Sequence, residues 1–174
     1  MNKKFLMVGI IPLVIASGAR AVDNGTVSFS GELKGGTCNV SIDGQGPDGT
    51  VILPVQTADD ANASAITGTT PFTIDMTGCS GNYTGARVNF EAGAGVSGSY
   101  VTNTGTATGV DLILSLDSSG APAIIPGSDA TQADYSDITS GSASQKFYVS
   151  YYTAAGAATA GTVTGSVTYR LDYQ

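Results

Sequence analysis

The chain has 174 residues with 24 glycines, no tryptophan, no histidine and a formal net charge of −7. Without histidine it lacks the usual general base, the commonest metal ligand and any Ser-His or Cys-His nucleophile pair, which argues against an enzyme. Its acidic balance repels nucleic acid and anionic lipid.

Residues 1–21 have the layout of a secretory signal peptide. Lys3 and Lys4 form a basic start, Phe5 to Ile15 an apolar stretch, and Ala19-Arg20-Ala21 a small-x-small cleavage site. The apolar stretch is interrupted by Gly9 and Pro12 and is too short to span a bilayer. Cleavage is expected after Ala21, with Ala16 and Ala19 as alternative sites. The 153 residues that follow suit a single domain. They carry four basic residues (Lys34, Arg87, Lys146, Arg170) against fourteen acidic ones, a net charge of −10.

After the signal, Gly25, Val27, Phe29, Gly31 and Leu33 share one parity, while Thr26, Ser28, Ser30, Glu32 and Lys34 hold the other. Period-two alternation places the apolar side chains on one face of a strand. Cys38 and Cys79 follow an export signal, have no C-x-x-C spacing and no adjacent basic residue. They are expected to form one structural disulfide, whose roughly 42-residue loop would contribute ~4 kcal/mol in the chain-entropy model. Val40 and Ile42 continue the alternation, and a Gly- and Asp-rich turn is expected at 43–49.

The apolar run 51–55 is expected as a fully buried strand, and 59–67 as one short helical turn. Further strands are predicted around Phe72, Ile74 and Met76, then Val88 and Phe90. Others follow at Val110, Leu112, Leu114 and Leu116, and at Phe147, Val149 and Tyr151. Turns are predicted at 92–98 and 118–120, and a Gly/Ala-rich loop at 153–161. Many short strands with such punctuation, and no run of helical period, define an all-β sandwich.

Other clusters carry little. Asp59-Asp60 and the group Asp129, Asp134 and Asp137 lack both the spacing of a calcium loop and a strand context that would tune an acid. Four Asn-x-Ser/Thr matches arise easily in a chain this rich in Ser and Thr. Tyr148, Tyr151 and Tyr152 share a strand, with Tyr151 on the core face and the other two opposite. No catalytic residue, metal or cofactor is expected.

The last segment alternates most regularly. Val163, Val167, Tyr169, Leu171 and Tyr173 oppose Thr162, Thr164, Ser166, Thr168, Arg170, Asp172 and Gln174. A long half-apolar strand with nothing after it is an edge open to another chain. On composition alone, this strand and the one near Val27 are ordinary neighbours paired within one sandwich.

The run Gly25-Thr-Val-Ser-Phe-Ser-Gly-Glu-Leu33, followed by Thr37-Cys38-Asn39-Val40, resembles the start of mature pilins of the chaperone–usher class, such as type 1 fimbrial subunits. Cys79 about forty residues on, Gly161 fourteenth from the end and the penultimate Tyr173 are similar to the same family. So is the strand 147–153 before a Gly/Ala loop. The resemblance covers essentially the whole precursor.

It implies an incomplete immunoglobulin-like β-sandwich that lacks its last strand and is completed by a donor strand from another subunit. The implied division is signal peptide 1–21, donor-strand extension 22–33 and pilin domain 34–174. Gly25, Val27 and Phe29 would form the donor face. Gly161, Val163, Val167, Tyr169, Leu171, Tyr173 and Gln174 would form the acceptor groove and chaperone contact, with Cys38 and Cys79 fastening the strand after the extension. The resemblance further implies a structural subunit, the major shaft pilin, assembled by donor-strand exchange for bacterial surface adhesion. Its implied partners are a periplasmic chaperone, an outer-membrane usher and further copies of itself, with no nucleic acid and no membrane span. The implied route is through the periplasm to the surface fimbrium of a Gram-negative bacterium. Only three residues would precede Gly25 after cleavage, fewer than in the type 1 pattern, which leaves the filling of the far groove open. The alternative is a self-contained secreted β-sandwich that binds carbohydrate and folds unaided.

Overall fold

The computed structural model describes residues 28, 30, 36–154 and 157–174. The predicted signal peptide and the donor residues Gly25, Val27 and Phe29 lie outside the described residues. In chain order the elements are β1 (Asn39–Ile42), α1 (Ala58–Ala63), β2 (Ile66–Thr77), β3 (Gly85–Phe90), β4 (Val96–Ser97) and β5 (Tyr100–Val101). They continue with β6 (Val110–Ser115), β7 (Ala123–Ile124), a 3-10 turn at Asp129–Thr131, β8 (Ser136–Asp137), β9 (Ser142–Thr153) and β10 (Tyr169–Tyr173).

The strands form two antiparallel sheets. The larger runs β1-β2-β9-β6-β5-β4, with β7 also on β6; the smaller runs β10-β3-β8. The twelve-residue strands β2 and β9 are the spine of the larger sheet, paired with Phe72 opposite Phe147. Period-two alternation turns Phe72, Ile74, Phe147, Val149, Leu112 and Leu114 inward, where they meet Val88 and Phe90 of the smaller sheet. The Phe147 ring packs 5.1 Å from Phe90, edge to face, and 5.7 Å from Phe72.

Two glutamines, Gln145 from β9 and Gln132 from the loop after the 3-10 turn, support the free side of β3. The free side of β3 meets β8 only at Gly85 and Ala86. Beyond that point the Gln145 Oε1 accepts the Val88 N–H (2.8 Å) and the Gln132 Oε1 accepts the Phe90 N–H (3.0 Å). Side-chain amides thus replace a missing stretch of ladder inside the core, where an unpaired N–H is costly. The Cys38–Cys79 disulfide forms as expected and ties the chain before β1 to the residues after β2.

The alternating segments from Val40 onward become β1, β2, β3, β6 and β9, and the end of the terminal segment becomes β10; the segment around Val27 lies outside the described residues. Three expectations change. The turn at 92–98 contains β4, which folds back on β5. The helical turn is α1, capped by Thr57, whose Oγ1 accepts the Asp60 N–H; Ile66 and Thr67 already belong to β2. The run 51–55 is not a fully buried strand. Val51 and Leu53 pack on the core, while Ile52 and Val55 are 83% and 97% exposed. This run crosses no sheet interior but forms a rim, so only one of its faces meets the core.

Phe147→Ala is expected to cost about 3–5 kcal/mol in urea denaturation, whereas Ile52→Ala should stay within about 0.5 kcal/mol.

Candidate functional site

β10 is an edge strand of the smaller sheet. Its even-numbered residues face β3: the Glu91 N–H donates to Thr168 O, and Gln174 and Gly85 exchange both backbone bonds. The backbone groups of the odd-numbered residues therefore point away from β3 and find no backbone partner among the described residues.

Upstream, 162–168 is extended but makes no regular ladder. It faces 103–107, with Thr104 N–H donating to Thr164 O (2.7 Å) and Ala107 N–H to Thr162 O (3.0 Å). The reverse bonds go to side chains: the Thr162 N–H donates to Thr106 Oγ1 and the Thr164 N–H to Asn103 Oδ1. Threonine and asparagine side chains compete with backbone for these bonds, so the predicted long terminal strand is regular only over Tyr169–Tyr173. Again Thr162, Thr164 and Thr168 are engaged on this side, and Val163, Gly165 and Val167 are left facing the other way.

The segment 47–56 forms a second edge. Among the described residues the backbone of 51–56 bonds to no other backbone group. Its anchors are side chains: the Tyr169 hydroxyl donates to Pro47 O (2.8 Å), the Tyr151 hydroxyl to Pro54 O (3.1 Å), and Gln45 exchanges two bonds with Thr50. Burial raises both phenol pKa values above the ordinary range, and the charge of Asp48 adds to the effect at Tyr169. Both hydroxyls are therefore protonated donors near neutral pH.

Between the two edges lies an apolar groove. Its wider part, about 780 Å³, has Phe72, Phe90, Leu112 and Leu114 among its floor residues, with Val51 and Leu53 on one side and Val167 and Tyr169 on the other. A narrower part of about 460 Å³ lies between Val55 and Ala58 on one side and Gly161 and Val163 on the other. The two edges run in opposite directions along it.

The sequence-predicted residues fall into three groups. Val163, Val167 and Tyr169 line the groove and pack on the main core. Gly161 lines the narrower part, and a Cβ there would stand 2.4 Å from the Ala107 backbone nitrogen, so only glycine admits this approach. Leu171 and Tyr173 lie beyond the groove, over Met76 and the disulfide, where the Tyr173 hydroxyl accepts the Cys38 N–H (3.0 Å). Gln174 is also outside it, bonded through its backbone to Thr84 and Gly85. Sequence reasoning missed the facing edge, Val51 and Leu53, and also Gly165. A Cβ at Gly165 would point at Val101 and Leu112 on the groove floor, 3.0 and 3.2 Å away. Its inward parity in the terminal alternation was the available signal.

On the outer surface, the Asp172 carboxylate clasps β10 to β3. It accepts bonds from Arg170 Nε (2.8 Å), Asn89 Nδ2 (2.9 Å) and Arg87 Nη2 (3.3 Å). Burial opposes its ionisation, but the bonds from Arg170, Asn89 and Arg87, with the charge of Arg170, outweigh burial and hold its pKa below the usual carboxylate range. Asp129, from the acidic group in the sequence, pairs with Arg87 at 3.1 Å. Among the described residues no cluster of potential ligands could hold a metal ion, and no helix is long and apolar enough to cross a membrane.

Fold and groove together define an immunoglobulin-like sandwich whose smaller sheet, among the described residues, stops at an unpaired edge, facing a second unpaired edge across an apolar groove. Residues 27–174 match the family model described as fimbrial protein. The major fimbrial subunit SMF-1 of Stenotrophomonas maltophilia (strain K279a) is 36% identical over 166 residues, covering 89% of this chain and 95% of its own. The F17 fimbrial protein of Escherichia coli is 34% identical over 185 aligned residues and the full length of both chains. The fold is similar to that of the P pilus rod subunit PapA, with a TM-score of 0.59, 18% identity, and coverage of 79% of this chain and 99% of that one. The chain belongs to the fimbrial protein family and is a structural subunit of a bacterial cell-surface fimbrium.

Because the folded pKa of Asp172 is depressed, its contribution to stability is complete above the unfolded value of about 3.9 and is lost as pH falls through the folded value. Asp172→Asn is expected to destabilise by about 1–2 kcal/mol at pH 7. In denaturation series the gap to the parent should close as pH drops below about 4.

Proposed function

We propose that the groove is the acceptor for segment 22–33 of another copy, and that the chain polymerises by this exchange as the major shaft subunit. The observation that carries the reading is the pair of facing edges whose backbone groups find no backbone partner among the described residues, on either side of an apolar groove. One added strand would pair on both sides at once and complete the core beneath it. The segment near Val27 has the required pattern, with Gly25, Val27 and Phe29 on its apolar parity. Alternate side chains inserted into the groove would fix the register, since a one-residue slip would turn them outward.

Within this reading Gly161, Val163, Val167 and Tyr169 receive the donor strand. Leu171, Tyr173 and Gln174 lie at the chaperone end, where basic groups of a periplasmic chaperone hold the Gln174 carboxylate. The chaperone strand fills the groove first, and exchange at an outer-membrane usher replaces it. Residues 1–21 direct export into the periplasm.

Purified residues 22–174 are expected to self-associate when alone. A synthetic 22–33 peptide, in about thousandfold excess over its Kd, should raise the thermal midpoint by roughly 10 °C. A peptide with Val27→Asp and Phe29→Asp should not, while one with Ser28→Asp should retain the effect. A stable monomer indifferent to every peptide would instead support the self-contained sandwich.

A further inference from the structure

An empty groove of this kind has two ways to disappear. Its edges could pair directly and satisfy their own backbone groups, and its apolar floor would favour the same collapse. Either would bury the surface that an incoming strand needs. The facing edge is poorly secured by backbone, since β1 leaves the ladder after Ile42 opposite Ile74 and 51–56 has no backbone partner among the described residues. Pro47 and Pro54 supply no N–H with which to pair across the gap.

Two phenols reach this edge instead, each ending on a prolyl carbonyl. Tyr169 starts from β10 on the opposite side, so its side chain spans the groove to Pro47 O. Tyr151 rises from β9 on the larger sheet to Pro54 O. For Tyr169, which runs from one edge to the other, side chain plus hydrogen bond comes to about the 9–10 Å that separates two strands with a third between them, while Tyr151 ties the same edge to the larger sheet. We infer that Tyr169 and Tyr151 are struts that hold the two edges of the groove apart by the width of one β-strand, so that the chaperone strand and the donor that replaces it meet the same slot. The inference rests on the donor-strand reading and assigns these tyrosines a positioning role. It explains why hydroxyls are placed at two positions where a phenylalanine ring would fill the same apolar space. Preorganisation of this sort acts on the rate of entry more than on the contacts made afterwards.

The test uses the 22–33 peptide as probe on residues 22–174 and on the variants Tyr169→Phe, Tyr151→Phe and the double substitution. Tyr100→Phe, which alters the stacked Tyr100–Tyr152 pair away from the groove, is the control. Each single variant is expected to slow association by about fivefold, and the double variant further, with dissociation within about twofold of the parent. Spin labels at Ile52→Cys and Ser166→Cys should report a shorter or broader distance across the empty groove in the double variant, and the control should match the parent. Unchanged association in the double variant overturns the struts, even if its thermal stability falls, while peptide binding by the parent upholds the donor-strand reading. Failure of the parent to bind the peptide overturns that reading and the struts with it.

Discussion

Two backbone edges that lack backbone partners among the described residues set the terms for the rest of the molecule. Hydrogen-bonding groups on 51–56 and on Val163, Gly165 and Val167 find no backbone partner among the described residues, and the gap between them opens onto core. Unpaired backbone beside an apolar groove is a costly surface for a β-protein. The two sheets beside the groove differ in how far they rely on it.

The larger sheet tolerates it. β2, β6 and β9 carry most of the inward aromatic and aliphatic residues, and they pair along nearly their whole lengths without help from the groove. The smaller sheet depends on support from elsewhere. Its β3 borrows Gln145 and Gln132 for part of its ladder, and β10 is clasped to it by the Asp172 cluster. At the far end, the disulfide and Tyr173 close the sandwich, so the opening is confined to the stretch beside 161–169. The paired strands and the disulfide thus support the fold on either side of the groove.

Much of this was legible in the sequence where one side chain in two faces the interior. Phe72, Ile74 and Met76 announced β2, and Phe147, Val149 and Tyr151 announced β9, because long paired strands leave a clean alternation. The groove side formed by Val163, Val167 and Tyr169 was legible for the same reason. The opposite side was not. The run 51–55 read as buried because Ile52 and Val55 are apolar, although both face outward. What defines that edge is the absence of a backbone partner, and no residue pattern records an absence. The two-residue strands β7 and β8 were equally silent, being too short to alternate. Gln145 and Gln132 carried no signal because a buried amide is recognisable only from what it bonds.

The central claim is that both edges become paired by one inserted strand. Residue-resolved hydrogen exchange on assembled fibres, set against the unassembled chain, tests it most directly. The account predicts strong new protection at Val163, Gly165 and Val167 and, in the same fibres, within 51–56 on the facing edge. Amides at both edges that exchange as fast in the fibre as in the unassembled chain would contradict it.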